Sequence, residues 1–403
     1  MKPRLLVMNQ YYWPGVEATA HLLAELVEAL TDDFEVTVVT GRLRTAQNLP
    51  TGEMRNGVRI VRVASATYDR ASLGGRAANY VTYLAESFRA AVAGGRADVV
   101  LCMTDPPMVG ATALAVARRH RAPLVVIAQD VFPEIAVELK RLTNPFVVGL
   151  LRVLVGVWVR RADRIVAIGD TMRSRLIEKG ADPGRVDVIP NWVDTTRLQP
   201  LEGENAWARE QGLESRFVVM HSGNVGHAQD LDSLVRAATF LRDLEQLRIV
   251  IIGSGARHDE LVALASRLEV DQVEFHDYQP RERLQESLSA ASVHVVGLAH
   301  GLAGFIVPSR LAGILAVGRP VIAAADDESE TAGVVRAAGC GVVVPPGRPE
   351  LLAAAIRDAY EGKLELDEMG RRGRAYVTAE ADREVAIRRY RALLREVVAD
   401  GRR

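Results

Sequence analysis

The sequence predicts an α/β protein built from two doubly wound domains, and three observations predict it. Short β-branched runs alternate with helix-length amphipathic segments from end to end, which is the pattern of βα units around parallel sheets. The runs are almost continuously apolar, as strands covered on both faces are. The alternation breaks once, at 191–205, where Asp194, Thr195, Thr196, Pro200, Gly203 and Asn205 sustain no apolar period. Length agrees with this division, since 403 residues at about 150 per domain give roughly 2.7.

In the first series strands are expected at 5–8, 35–40, 59–64, 99–103, 124–128, 164–168 and 187–189. In the second they are expected at 218–221, 248–252, 273–276, 294–297, 321–324 and 341–344. The domains are expected at 1–200 and 201–380. Ligands of such sheets bind outside the carboxyl ends of the strands, so two such edges facing each other would form a cleft. The remainder, 381–403, carries Val385, Tyr390, Leu393, Leu394 and Val397 at helical spacing. It reads as an amphipathic helix that packs back on the N-terminal domain.

Composition narrows the function. Lys and Arg number 50 against 51 Asp and Glu, for a net charge of −1, so no general field attracts nucleic acid. Apolar residues at 48% and charged residues at 25% describe a globular chain with material for large cores. Cys102 and Cys340 stand far apart without a metal-ligand spacing, and a reducing cytoplasm is the natural setting. The apolar stretch near the N-terminus is too short for a signal peptide and reads as a first buried strand. One segment departs from the pattern: 146–159 (FVVGLLRVLVGVWV) carries a single charge, Arg152, with Lys140, Arg141, Arg160 and Arg161 at its flanks. Its fourteen residues fall short of the roughly 20 that span a bilayer. It is either a helix buried between sheet and neighbour or an interfacial helix on a membrane surface.

Several turns carry chemistry. Ser222-Gly223-Asn224-Val225-Gly226 and Ile252-Gly253-Ser254-Gly255 each follow a strand, where glycines admit either a phosphate or tight packing. Pro308-Ser309-Arg310 opens a helix with a hydroxyl and a fixed positive charge, suited to a diphosphate or to a cap and a surface ion pair. Asp130 and Glu134, just past a strand, are candidate acid–base carboxylates or plain turn and first-turn acids. Tyr11, Tyr12, Trp13 and Gly15 follow the first strand as an aromatic loop suited to a sugar or to a hydrophobic lid. No Ser-His-Asp arrangement, Walker loop or dinucleotide fingerprint is present.

Taken in order, YYWPGVEATA, AQDVFPE, ADRIVAIGDTMRSRL, VIPNWVDTTRLQP, HSGNVGHAQDLDSLVRAA, IIGSGARHDEL, VPSRLAGILAVGRPVIA and AAGCGVVVPPG resemble the GT-B glycosyltransferases of family four along essentially the whole chain. This is the retaining group that uses nucleotide sugars. The similarity is greatest to bacterial enzymes of O-antigen, capsule and exopolysaccharide synthesis, including the N-acetyl-fucosaminyl transferases. The resemblance implies two Rossmann-like domains facing each other, the acceptor held mainly by the first and the nucleotide diphosphate by the second. It implies no metal and no cofactor, the nucleotide sugar, with UDP expected, being a co-substrate.

Carried over by residue, the resemblance puts Gly15 near the donor phosphate and acceptor. Asp130 falls beside the reacting carbon, with Gln129 where many relatives have His. Asn224, Val225 and Gly226 fall under the diphosphate with Ser309 and Arg310, and Tyr278 near the base. Gly253 and Glu330 complete the expected nucleoside contacts, and Tyr11, Tyr12 and Trp13 those to the acceptor. The chain also departs from the family. The Glu-x7-Glu element falls on Phe305 and Gly313, and the basic pair after the first C-terminal strand on Asn224 and Gln229. Arg310 is expected to carry much of the missing charge, with Glu330 a candidate for the ribose. The function expected is transfer from a UDP-sugar to a lipid-linked saccharide, in the cytoplasm or at the inner face of the membrane. A soluble small-molecule acceptor, or a non-catalytic nucleotide-sugar binding role, is the alternative.

Overall fold

The computed structural model describes residues 2–15, 18–42, 49–64, 73–201 and 205–401; Val16, Glu17 and Gly203 of the segments above lie outside them. The chain divides into two compact units, Met1–Pro190 with Ala386–Arg403, and Asn191–Val385. The passage at Pro190 comes earlier than a boundary near 200. The reason lies in hydrogen bonds: Val193 N donates to Ala381 O at 3.0 Å, and Arg374 donates to Thr195 O and Leu198 O at 2.7 and 2.6 Å. These fasten the start of the segment to the second unit.

The first unit holds an eight-stranded sheet of β1 (Arg4–Met8), β2 (Glu35–Gly41), β3 (Gly52–Arg55), β4 (Val58–Val63), β5 (Val99–Met103), β6 (Leu124–Ala128), β7 (Arg164–Ala167) and β8 (Val186–Val188). Their order is β3-β4-β2-β1-β5-β6-β7-β8, parallel throughout except for the β3/β4 hairpin. Every residue of β5 and β6 is buried, as central parallel strands require. β3 is the one strand absent from the sequence reading. Its segment GEMR buries no apolar face, yet Asn56 and Gly57 at φ 45° and 80° make the two-residue turn that an Asn-Gly pair favours.

The second unit holds a six-stranded parallel sheet of β9 (Phe217–Ser222), β10 (Leu247–Ile252), β11 (Val273–His276), β12 (Val293–Gly297), β13 (Val321–Ala324) and β14 (Gly341–Val344), ordered β11-β10-β9-β12-β13-β14. Strand alternation sends Ile249 and Ile251 into a core with Leu234 and Leu261, and Val250 and Ile252 into one with Trp207 and Met220. Each such side chain contributes roughly 1.5–3 kcal/mol by burial. Cys102 and Cys340 are free and buried, one in each unit.

The apolar segment is the helix Pro145–Val159. Asn144 caps it, its Oδ1 accepting from Phe146 N and Val147 N at 3.0 and 3.2 Å, and Pro145 fills the first turn where no N–H is needed. Only one face is buried, through Val148, Val155, Trp158 and Val159, while Phe146 is 87% exposed, Leu150 60% and Val153 61%. No described helix is long and apolar enough to cross a membrane. The helix Arg383–Asp400 buries Tyr390, Leu393, Leu394 and Val397, and its part from Ala386 counts with the first unit. There Arg391 and Arg395 both pair with Asp33 and hold its carboxyl below the usual range against the opposing effect of burial.

Candidate active site

Each sheet reverses its strand order once, between β1 and β5 and between β9 and β12. The connections at such a point leave in opposite directions and open a crevice at the carboxyl ends. The segments after β1, β5 and β6, and those after β9 and β12, therefore define the candidate sites, one in each unit.

In the first unit Gln10 N donates to Asp105 O at 2.9 Å, tying the segment after β1 to the one after β5, and Thr19 Oγ1 donates to Asp105 Oδ2 at 2.8 Å. Thr104 sits between neighbours: its hydroxyl accepts from Gln129 N and donates to Asp130 Oδ1, both at 3.0 Å. Burial, with the charge of Asp105 adding to it, pushes the Asp130 carboxyl up to about 7 against the opposing Thr104 hydrogen bond. A carboxyl that changes charge near neutrality can take or hold a proton in a reaction.

Glu134 stands apart from that cluster. Its Oε1 accepts from Arg152 Nε at 3.1 Å and its Oε2 from Lys179 Nζ. Burial alone would raise its pKa, yet the Lys179 hydrogen bond and the others it accepts outweigh burial and hold it below the usual value. The carboxylate joins the helix at 134 to Arg152 and Lys179, so of the two expected acid–base carboxyls Asp130 has a raised pKa and Glu134 is engaged in two ion pairs. The aromatic loop resolves similarly. Tyr12 is 1% exposed and belongs to the core, while Trp13 carries the Arg55 guanidinium 4.1 Å above its ring. Tyr11 is half-buried, and Gly15 N donates to Tyr12 O at 2.8 Å, closing the turn.

In the second unit the turns after β9 and β10 interlock. Gly223 N donates to Ile252 O and Val225 N to Ser254 O, each at 2.9 Å. A Cβ on Gly253 would stand 1.9 Å from Gly223 O, and one on Gly255 2.3 Å from Val225 O, so packing of the two turns by itself demands these glycines. Val225 is fully buried with its amide spent on Ser254, which removes that N–H from the donors expected under a diphosphate. The Gly226 amide donates to Gln229 Oε1 at 3.0 Å, a side chain that a stronger acceptor can replace. Asn224 precedes both on the same turn, its carbonyl 3.4 Å from His221 Nε2.

Arg310 opens the helix Arg310–Ala316 after β12. Its Nη1 lies 2.9 Å from both ring nitrogens of the fully buried His221 at the end of β9, and its Nε would be 3.7 Å from a Cβ on Gly223. Desolvation pulls the guanidinium down to about 10, and no carboxylate pairs with it among the described residues. A desolvated cation without a counter-charge is costly unless an anion completes it. Ser309 is exposed and makes no side-chain cap bond.

Two expected nucleoside residues lie farther off. Tyr278 is 69% exposed after β11, with β10 between that strand and β9, and Glu330 begins the helix Glu330–Ala338 after β13. The segment after β12 is fastened by Asp326, which accepts from His300 Nδ1 at 2.6 Å and Gly301 N at 2.7 Å. Among the described residues no group of three His, Cys, Asp or Glu gathers as metal ligands. Sequence reasoning missed Thr104, Asp105 and His221. The first two directly follow an all-apolar strand, as Asp130 almost does, and His221 is a polar residue at the carboxyl end of an otherwise apolar run.

Residues 15–192 match the glycosyl transferase 4-like domain, and residues 204–376 match the glycosyl transferases group 1. The chain is 23% identical over 401 residues to the probable glycosyltransferase WbjE of Pseudomonas aeruginosa, covering 99% of each. It is 29% identical over 236 residues to the putative colanic acid biosynthesis glycosyl transferase WcaI of Escherichia coli K12, covering 58% of this chain and 57% of that one. The crystal structure of Anabaena Alr3699/HepE in complex with UDP shares the fold at a TM-score of 0.77 and 15% identity, over 98% of this chain and 100% of that one.

Proposed function

This chain belongs to the glycosyltransferases whose two domain families match its two halves, and from that premise we propose that it moves a sugar from a UDP-sugar to a lipid-linked saccharide of the cell surface. The observation that carries the donor side is Arg310, a half-buried, desolvated guanidinium with no carboxylate partner among the described residues, at the strand-order reversal of the second sheet. A nucleoside diphosphate supplies the charge it lacks, with Ser309, Asn224 and the Gly226 amide around it. Alr3699/HepE, of the same fold, is solved with UDP, and WbjE and WcaI bear glycosyltransferase names.

In this reading the bond from the anomeric carbon to the diphosphate oxygen breaks as the acceptor hydroxyl attacks from the same face, retaining configuration. The departing phosphate takes the hydroxyl proton, and Arg310 stabilises the charge that develops on it. Asp130 holds its proton close to neutral pH and hydrogen-bonds the reacting sugar. Gly15, Tyr11 and Trp13 border the acceptor, and Tyr278, Gly253 and Glu330 lie on the nucleoside side.

The lipid side rests on the helix Pro145–Val159. Its exposed stripe of Phe146, Val147, Leu150, Val153 and Leu154 stands beside exposed Lys140, Arg141, Arg160 and Arg161, none ion-paired among the described residues. An apolar stripe with cations at both ends suits an anionic bilayer surface. The deciding experiment is thermal stabilisation by UDP, GDP, dTDP, ADP and CMP with and without magnesium. A selective shift by UDP without magnesium, lost in Arg310→Ala, is expected; no shift by any nucleotide overturns the donor reading. Sedimentation with phosphatidylglycerol vesicles, lost in Leu150→Asp/Val153→Asp, tests the lipid side, and binding unchanged by that variant sends the acceptor back to solution.

A further inference from the structure

Arg310 needs something to hold it in place before an anion arrives. A long flexible cation free to sample rotamers loses part of its binding energy to ordering. The guanidinium groups of Arg152, Arg374, Arg391 and Arg395 are each held by a carboxylate or a backbone carbonyl. Among the described residues Arg310 contacts the His221 imidazole and no carboxylate, and the geometry of that contact is informative. Nη1 is 2.9 Å from Nδ1 and 2.9 Å from Nε2. The two nitrogens flank the Cε1–H in the ring plane, so a donor in that plane at this distance from both would overlap the Cε1–H. The guanidinium nitrogen therefore lies over the ring face, where Arg stacks on planar groups.

The same ring reaches the glycine turn, with Nε2 3.4 Å from Asn224 O. His221 is fully buried at the carboxyl end of β9, so a rigid strand sets its position. The turn at Gly223 passes close enough that a Cβ there would meet Arg310 Nε and Cζ at 3.7 and 3.8 Å. One imidazole thus lies against both the cation and the turn.

We propose that His221 is a positioning residue for the donor diphosphate: its imidazole face holds the Arg310 guanidinium over the turn at 223–226, so that cation and turn present one preformed anion site. The proposal rests on the donor reading above. His221 itself touches no substrate and acts through Arg310. The ring must be uncharged to accept a guanidinium over its face. Burial, then the nearby Arg310 charge, holds the His221 pKa well below the ordinary histidine value, so it is neutral at physiological pH.

The test uses the full chain and measures UDP and uridine binding by calorimetry, with donor and acceptor KM and kcat alongside. His221→Ala is expected to weaken UDP about tenfold, as the loss of one charge-assisted contact does. It leaves uridine unchanged and raises donor KM with little effect on acceptor KM. His221→Phe keeps a planar face and is expected to recover most of the UDP affinity, whereas His221→Lys places a second cation against Arg310 and loses it. In an Arg310→Ala background His221→Ala is expected to cost nothing further, because the pair acts as a unit.

Equal losses of UDP and uridine in His221→Ala, or additive losses in the double variant, overturn the positioning role. Should His221→Ala fail to fold, His221→Phe and His221→Lys carry the same comparison. If Arg310→Ala binds UDP as the parent does, the donor reading fails and this proposal with it. If Arg310→Ala loses UDP while His221→Ala and His221→Lys do not, the proposal alone fails.

Discussion

The two strand-order reversals carry opposite electrostatics. After β5 and β6 the first unit gathers Asp105, Asp130 and Thr104, a site rich in oxygen acceptors whose central carboxyl keeps its proton up to about 7. After β9 and β12 the second unit sets Arg310 over an uncharged imidazole, with no carboxylate against it among the described residues. Similar βα topology gives a proton-holding crevice in one unit and a cation awaiting an anion in the other. Topology fixes where a site opens, and the few side chains that end the strands fix what it binds.

The largest effect is expected at the cation. Arg310→Ala should lower turnover by roughly 10²–10³, the range for removing a group that stabilises a developing oxyanion, and abolish the thermal shift with UDP. A loss under threefold would erase the contrast between the two sites.

Next in size is Asp130→Asn, expected to lower turnover by about tenfold, as weakening one hydrogen bond to the reacting sugar does, and to remove the ionisation near pH 7 from the rate profile. The sign for stability follows from linkage. The folded pKa of Asp130 lies above its unfolded value, so the folded state holds the proton more tightly. Stability therefore declines as pH rises from the ordinary carboxylate range through about 7. Asp130→Asn should melt above the parent at pH 8 and lose that advantage at pH 4, by calorimetry at both values.

Thr104→Val sharpens the same point with a smaller change. The Thr104 hydroxyl favours the charged form of Asp130, so its loss should move the midpoint of the rate profile upward. A downward move would mean that Asp105 and burial do not govern that proton.

Smallest is Glu134→Gln, expected to change turnover less than threefold because its carboxylate is committed to Lys179 and Arg152. Its folded pKa is depressed, so the ion pairs stabilise above the ordinary Glu pKa and lose that effect as pH falls through the folded value. The variant should melt below the parent at pH 7, and the difference should close in acid.

Particular elements show what a linear reading reaches. β5 and β6 are legible because five consecutive apolar residues between polar turns leave a covered strand as the economical solution. β3 is not, since GEMR has no buried face and is held by its Asn-Gly turn and by pairing with β4. In the candidate site, Asp130 and Arg310 are legible by position just past strands, and the comparisons with known proteins support the family that the ordered motifs resemble. The engagement of Glu134 by Lys179, 45 residues away, and the burial of Tyr12 inside an aromatic run are not. Each depends on which partner the fold brings within reach.

By itself the sequence determined the α/β class, the place of all but one strand and the family, because these follow from the period and order of apolar residues along the chain. Only the tertiary structure decided which carboxylate keeps a proton, which is spent on cations, which amide is already engaged and which arginine has no carboxylate partner among the described residues. Those properties belong to distances between residues far apart in sequence. Burial and charge act through space, so their effects exist only once the strands have brought His221 under Arg310 and Thr104 against Asp130.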